Sequence, residues 1–135
     1  MKAEPTFIER IEKMNATFNL PINDKPTDQG QPRLNDFRRV LKDELDETKD
    51  VYQRPGGPPD MVALADCLGD LVVYIFSEAC RWGIPLEQVL YIIMNSQDSK
   101  LVDGKPLMAE DGSKFIKGSN YTPPEENIRR LLESL

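Results

Sequence analysis

The sequence predicts an all-α fold: a bundle of four to five helices with a small C-terminal β-hairpin and a dimeric core. Three observations carry that expectation. Apolar residues recur every three or four positions through several long segments, the spacing of one face of an α-helix. Breakers rich in Gly and Pro separate those segments. Strand-like alternation is confined to one short stretch near the C-terminus. At 135 residues, without internal repeat or low-complexity segment, the whole of 1–135 reads as a single domain.

The first helix is expected over Pro5 to Phe18, where Phe7, Ile8, Ile11, Met14 and Phe18 keep approximate helical spacing. Leu20 to Arg33, rich in Pro, Asp, Asn and Gly, reads as a loop. A long second helix starts near Asn35 or Asp36, either a suitable cap, and runs to about Tyr52. Arg54-Pro-Gly-Gly-Pro-Pro-Asp60 breaks it, and Asp60 caps a third helix from Met61 to about Trp82. Gly83-Ile-Pro85 marks a stop and restart, with Gly83 beyond the helix end and a fourth helix over Leu86 to about Gln97. Asp103-Gly104 and Asp111-Gly112 are turn dipeptides, and Lys114 to Lys117 alternates weakly, so a hairpin is expected around Asp111-Gly112. Pro123-Pro124 opens a short last helix, Glu125 to Leu135. The third helix is apolar on nearly all sides, which calls for a central position or cover from a second subunit.

A net charge of −6 argues against a nucleic-acid polymer as partner, because such binding rests on Lys and Arg neutralising phosphates. A phosphorylated small molecule stays open, since a divalent cation can supply the positive charge. With no histidine in the chain, His-based triads and His-bound zinc are excluded. Carboxylate ligands remain, and these favour Mg²⁺ or Mn²⁺. Cys67 and Cys80 share the third helix, about 20 Å apart along its axis, too far for a disulfide. Reduced thiols, no secretory h-region and no membrane-length apolar run suit a cytoplasmic protein with no membrane contact.

Four carboxylates stand where apolar residues would be expected. Glu44 falls on the apolar stripe beside Leu45, and Glu47 lies about 60° around the helix from it. Asp66 and Asp70, spaced i, i+4, share one face of the third helix. Directing acids at a helix–helix seam is costly without compensation. Salt bridges to Arg38, Arg39 or Arg81 would provide it, and so would a divalent cation. Downstream, Lys100, Lys105, Lys114 and Lys117 cluster in an otherwise acidic chain, suiting either phosphate oxygens or an ordinary solvated hairpin. Tyr121 is placed to stack on a base or to pack.

These segments resemble a known superfamily. Asp43-Glu44-Leu45-Asp46-Glu47 is similar to the Glu-x-x-Glu motif of the all-α nucleoside triphosphate pyrophosphohydrolases, which include MazG-like proteins, dimeric dUTPases and phosphoribosyl-ATP pyrophosphohydrolases. Leu64-Ala-Asp66-Cys-Leu-Gly-Asp70-Leu resembles the second helix motif. Ser99-Lys100-Leu-Val-Asp-Gly-Lys105-Pro, Glu110-Asp-Gly-Ser-Lys114 and Lys117-Gly-Ser-Asn-Tyr121-x-Pro-Pro are similar to the phosphoribosyl-ATP pyrophosphohydrolase-like branch. The resemblance runs from Phe7 to Pro124.

It implies a helical bundle, a homodimer or dimer of dimers, that cleaves a nucleoside triphosphate or related nucleotide to the monophosphate and pyrophosphate, in a house-cleaning role. It makes Glu44, Glu47 and Asp70 ligands of Mg²⁺, with Mn²⁺ as a substitute, and gives Glu44 or Glu47 the further task of activating water. Lys100 becomes a phosphate-side lysine, with Gln97, Lys117 and Tyr121 as further substrate contacts. Two departures stand out. Cys67 occupies the usual acidic position three before Asp70, so Asp66 is the candidate fourth ligand. Gln97 replaces an Asn, and Asp98 stands at a usually apolar place. The alternatives to a house-cleaning enzyme are a non-catalytic helical interaction module that keeps the fold, and a phosphoribosyl-ATP pyrophosphohydrolase.

Overall fold

A computed structural model describes residues 3–135. The elements run α1 (Phe7–Thr17), α2 (Gln31–Asp46), a 3₁₀ turn (Glu47–Asp50), α3 (Met61–Trp82), α4 (Leu86–Asp98), β1 (Leu107–Met108), β2 (Phe115–Ile116) and α5 (Glu125–Glu133). This is the expected all-α fold with a small hairpin. The chain divides into two compact units, one ending at Ile84 and the other Pro85–Leu135. Among the described residues, no helix is long and apolar enough to cross a membrane.

In the first unit α3 packs against both α1 and α2. Thr6 caps α1 by accepting from Glu9 N, and the Phe7 ring meets Phe76 of α3 edge-on at 5.1 Å. Asn15, fully buried, donates to Ser77 O and Pro21 O and accepts from Ser77 Oγ, which ties α1 to α3. Asp60 caps α3 as its sequence position predicts, accepting from Ala63 N. The loop 19–30 covers the other end of α3. Asn23 N donates to Cys80 O, Asn23 Nδ2 to Arg81 O and Thr27 N to Trp82 O, so three carbonyls left over at the helix end find donors. Gly83 follows at φ 70°, and a Cβ there would fall 1.9 Å from Lys25 O. Only glycine fits both that backbone angle and that approach.

Two boundaries of α2 differ from the expectation. The helix begins at Gln31, not at Asn35 or Asp36, with Gly30 in the cap position and Pro32 in the first turn. Proline is tolerated there because the first-turn N–H groups have no intrahelical acceptor. At the other end the α-helix stops at Asp46 and tightens into the 3₁₀ turn, where a continuous helix to Tyr52 was expected. Both cysteines are free thiols. Leu68, Val72 and Ile75 of α3 remain 54%, 45% and 38% exposed, so the apolar surplus of this helix is only partly covered.

In the second unit α4 and α5 pack together, and a hydrogen-bond relay pins the chain between them. Ser96 Oγ donates to Thr122 O, Ser99 Oγ to Ser96 O, and Thr122 N to Ser99 Oγ. Val102 and Lys105 exchange both backbone hydrogen bonds around Asp103 (φ 51°) and Gly104 (φ 73°), the signature of a type I′ turn. β1 and β2 pair antiparallel, Leu107 with Ile116 and Met108 with Phe115, around the expected Asp111-Gly112 tip.

Candidate functional site

The seam between α2 and α3 gathers the acids. Glu44 lies in the last turn of α2, and its main-chain carbonyl accepts two donors: Glu47 N, and the thiol of Cys67 from α3 at 3.2 Å. Cys67 is 3% exposed, so this bond fixes the two helices at the level of Glu44. The side chain of Glu44 is half-buried, and its Oε2 is fully enclosed without a hydrogen-bond partner. Loss of solvent pushes the Glu44 carboxyl above its ordinary range, and the charges of Glu47 and Asp70 push it further. A buried carboxylate oxygen with no donor is rare in a folded protein and calls for explanation.

Glu47 begins the 3₁₀ turn and is exposed, so the tightening of α2 delivers it from a turn instead of from a helix face. Asp66 is exposed and Asp70 half-buried, one turn apart on α3. The pairings with Arg38, Arg39 or Arg81 are absent among the described residues. Arg39 pairs with Asp36 at 2.9 Å and Arg81 lies near Glu78 at 3.8 Å. The four acids act on common neighbours. Burial raises the Cys67 thiol, and Glu44, Glu47, Asp70 and Asp66 add to that shift. Tyr74, one turn beyond Asp70, is raised by burial and then by Glu44, Asp70 and Glu47. That tyrosine was not singled out from sequence, although its i, i+4 relation to Asp70 was the signal. Among the described residues, no three Cys, Asp or Glu side chains stand close enough together to form a ready-made ion cage.

The remaining predicted residues fall in the second unit. Lys117 Nζ lies 4.6 Å from the Tyr121 ring centroid and Lys100 Nζ 5.8 Å, so one aromatic ring collects two ammonium groups. Gly118 makes this possible. Its N–H donates to Lys100 O, and a Cβ would lie 2.9 Å from that oxygen and 2.5 Å from Val102 Cγ2. Gln97, on the last turn of α4, is exposed and stands outside this cluster of contacts.

No protein-family model and no curated protein matches the sequence. Solved structures do match the fold. One is a putative NTP pyrophosphohydrolase from Exiguobacterium sp. 255-15, aligned over 98% of this chain and 100% of that chain with a TM-score of 0.52 and 19% identity. At that identity the likeness establishes the fold alone.

Proposed function

We propose that this chain hydrolyses a nucleoside triphosphate or related nucleotide between its α- and β-phosphates, releasing the monophosphate and pyrophosphate with the help of Mg²⁺ or Mn²⁺. The observation that carries the reading is the enclosed, partnerless Oε2 of Glu44 among the charges of Glu47, Asp66 and Asp70. Oxygen-only donors suit a hard divalent cation, and such an ion would relieve both the missing contact and the repulsion. Glu44, Glu47 and Asp70, with Asp66 as a fourth, would hold it. The solved neighbour named above is consistent with this chemistry.

A bound Mg²⁺ supplies positive charge to the phosphate oxygens and acidifies water. The chain's own groups do the rest. Glu47, solvent-accessible at the turn, takes a proton from the attacking water, and Glu44 fixes the seam through its main-chain bond to Cys67. Lys100 and Lys117, gathered on Tyr121, bind phosphate oxygens, and Gln97 contributes a polar contact to the substrate. The active form is a homodimer or dimer of dimers, in which a second copy covers Leu68, Val72 and Ile75; sedimentation velocity reads this directly. Pyrophosphate release across a nucleotide panel, with Mg²⁺ or Mn²⁺ and none in excess EDTA, is the expected result. Robust turnover by Glu47→Ala sinks the assignment.

The orientation of Cys67 favours a second reading. Its thiol is committed to a backbone carbonyl at the place where the resembling family carries an acid, which suits a helical interaction module without chemistry. Calorimetry that finds no Mg²⁺ or Mn²⁺ binding, with or without nucleotide, would select that reading over the first.

A further inference from the structure

The loop joining the two acid-bearing helices holds a cation that the reading above does not use. Arg54-Pro55-Gly56-Gly57 forms a β-turn, with Gly57 N donating to Arg54 O at 3.1 Å. Pro55 in its second position and Gly56 at φ 73° in its third give the type II pattern. The loop is tied at its base, where Tyr52 bridges Pro59 and Asp60 N donates to the carbonyl of buried Val51 at 2.7 Å. The Arg54 side chain lies along Gly57, since a Cβ at that glycine would fall 2.7 Å from Arg54 Cγ and 2.9 Å from Nε. Arg54 is therefore laid across a closed turn while remaining exposed.

Among the described residues its guanidinium pairs with no carboxylate, unlike most cations near the seam. Arg33 and Arg81 serve Glu78, Arg39 serves Asp36, and Lys49 lies near Asp46. Arg38 and Lys42 sit on the far side of α2 from Glu44, by the 100° step of the helix. Arg54 instead lines a cleft of about 560 Å³ with Gln53, Pro58, Pro59 and Asp60, a volume within the range of small-ligand sites. The acid in that lining is partly neutralised, because Asp60 Oδ1 accepts from Ala63 N at the start of α3. Asp66 lies six residues further along α3, about 9 Å along the axis, a span an extended phosphate chain can cover.

We propose that Arg54 and this cleft bind the diphosphate end of the nucleotide, the part released as pyrophosphate; the assignment rests on the hydrolytic reading above. The planar guanidinium offers paired donors to phosphate oxygens, and the closed turn fixes its direction before substrate arrives.

Inorganic pyrophosphate is the probe, titrated by calorimetry into the full chain with and without Mg²⁺. Arg54→Ala weakens its binding roughly tenfold or more, the loss expected for a charge-assisted hydrogen bond. Arg54→Lys falls between, because it keeps the charge and loses the fork. Gly57→Ala keeps the arginine but displaces it, and also binds more weakly. With nucleotide, the same variants lower kcat/KM in the same order, since the diphosphate gains charge as it leaves. Circular dichroism verifies the fold of each. Wild-type binding that disappears in Arg54→Ala, without any nucleotide hydrolysis, leaves the cleft standing and removes the catalytic reading. Variants that bind pyrophosphate like the wild type, or a wild type that does not bind it, overturn the assignment of Arg54.

Discussion

The thiol of Cys67 donates to the main-chain carbonyl of Glu44 at 3.2 Å, across the seam between α3 and α2. Cys67 thus braces the backbone from which Glu44 projects. Cys67→Ser keeps a donor of similar size and is expected to change stability by no more than about 1 kcal/mol. Cys67→Glu adds a carboxylate to a 3% exposed site that already feels the charges of Glu44, Glu47, Asp70 and Asp66. It should lose several kcal/mol when metal-free, by the cost of burying an unpaired charge. Urea denaturation of both variants in EDTA tests the difference, and equal midpoints would contradict the enclosure of this position among acids.

Glu44 sets a pH dependence whose sign follows from its environment. Burial and the neighbouring acids raise its folded-state pKa above the ordinary value, so the folded protein binds this proton more tightly than the unfolded chain. The stability it contributes is full below the ordinary carboxyl pKa and is lost as pH rises through the raised one. Glu44→Gln should therefore melt higher than wild type at neutral pH in EDTA, with the gap closing as pH falls into the carboxylate range. Mn²⁺ should reverse the order, raising the wild type and leaving the variant unmoved. Scanning calorimetry reads both effects, and a variant that melts lower than wild type in EDTA at neutral pH would refute the strain at Oε2.

Much of this was legible in the sequence where a local signal had one meaning. Asp60 before an apolar run and Gly83 after it bounded α3, and Asp103-Gly104 set a tight turn. Asn35 and Asp36 misled, because cap-type residues also sit inside helices; the true start at Gln31 follows Gly30 and carries Pro32, and Arg33 in that first turn reaches a partner on α3. That partner, Glu78, is 45 residues away, and no local pattern reports such a contact. The acidic seam was legible as an anomaly of placement. Its central fact, an enclosed oxygen without a donor, was not, since burial of a single atom depends on how three segments pack.

The long-range partner of Arg33 carries its own prediction. Glu78 is buried and receives Arg33 Nη2 at 2.7 Å, Trp82 Nε1 at 2.7 Å and Arg33 Nε at 3.2 Å. Its hydrogen bonds raise the Arg33 pKa, while burial and the like charge of Arg33 lower that of Arg81. Arg33→Ala removes the main partner of an enclosed carboxylate and should cost about 3 kcal/mol in urea denaturation. Arg33→Lys recovers only part, because one ammonium cannot reproduce the fork. Full recovery by lysine would show that charge alone holds the first turn of α2 in place.

Tyr121 links the two lysines of the second unit, and its ring separates two roles for them. Lys117 sits nearer the ring centroid than Lys100, 4.6 against 5.8 Å. If the ring only packs, Tyr121→Phe and Tyr121→Leu behave alike. If it gathers the ammonium groups for phosphate, Tyr121→Phe keeps a π face and stays near wild type, while Tyr121→Leu disperses them and raises KM. The expected rise is about threefold to tenfold, the worth of a partly desolvated cation–π contact. Lys117→Ala should raise KM at least as far, with kcat less affected, because a group that binds substrate and transition state equally alters KM first. A Lys117→Ala variant with unchanged KM would remove this lysine from the proposed substrate contacts and leave the Gly118 approach as a folding constraint alone.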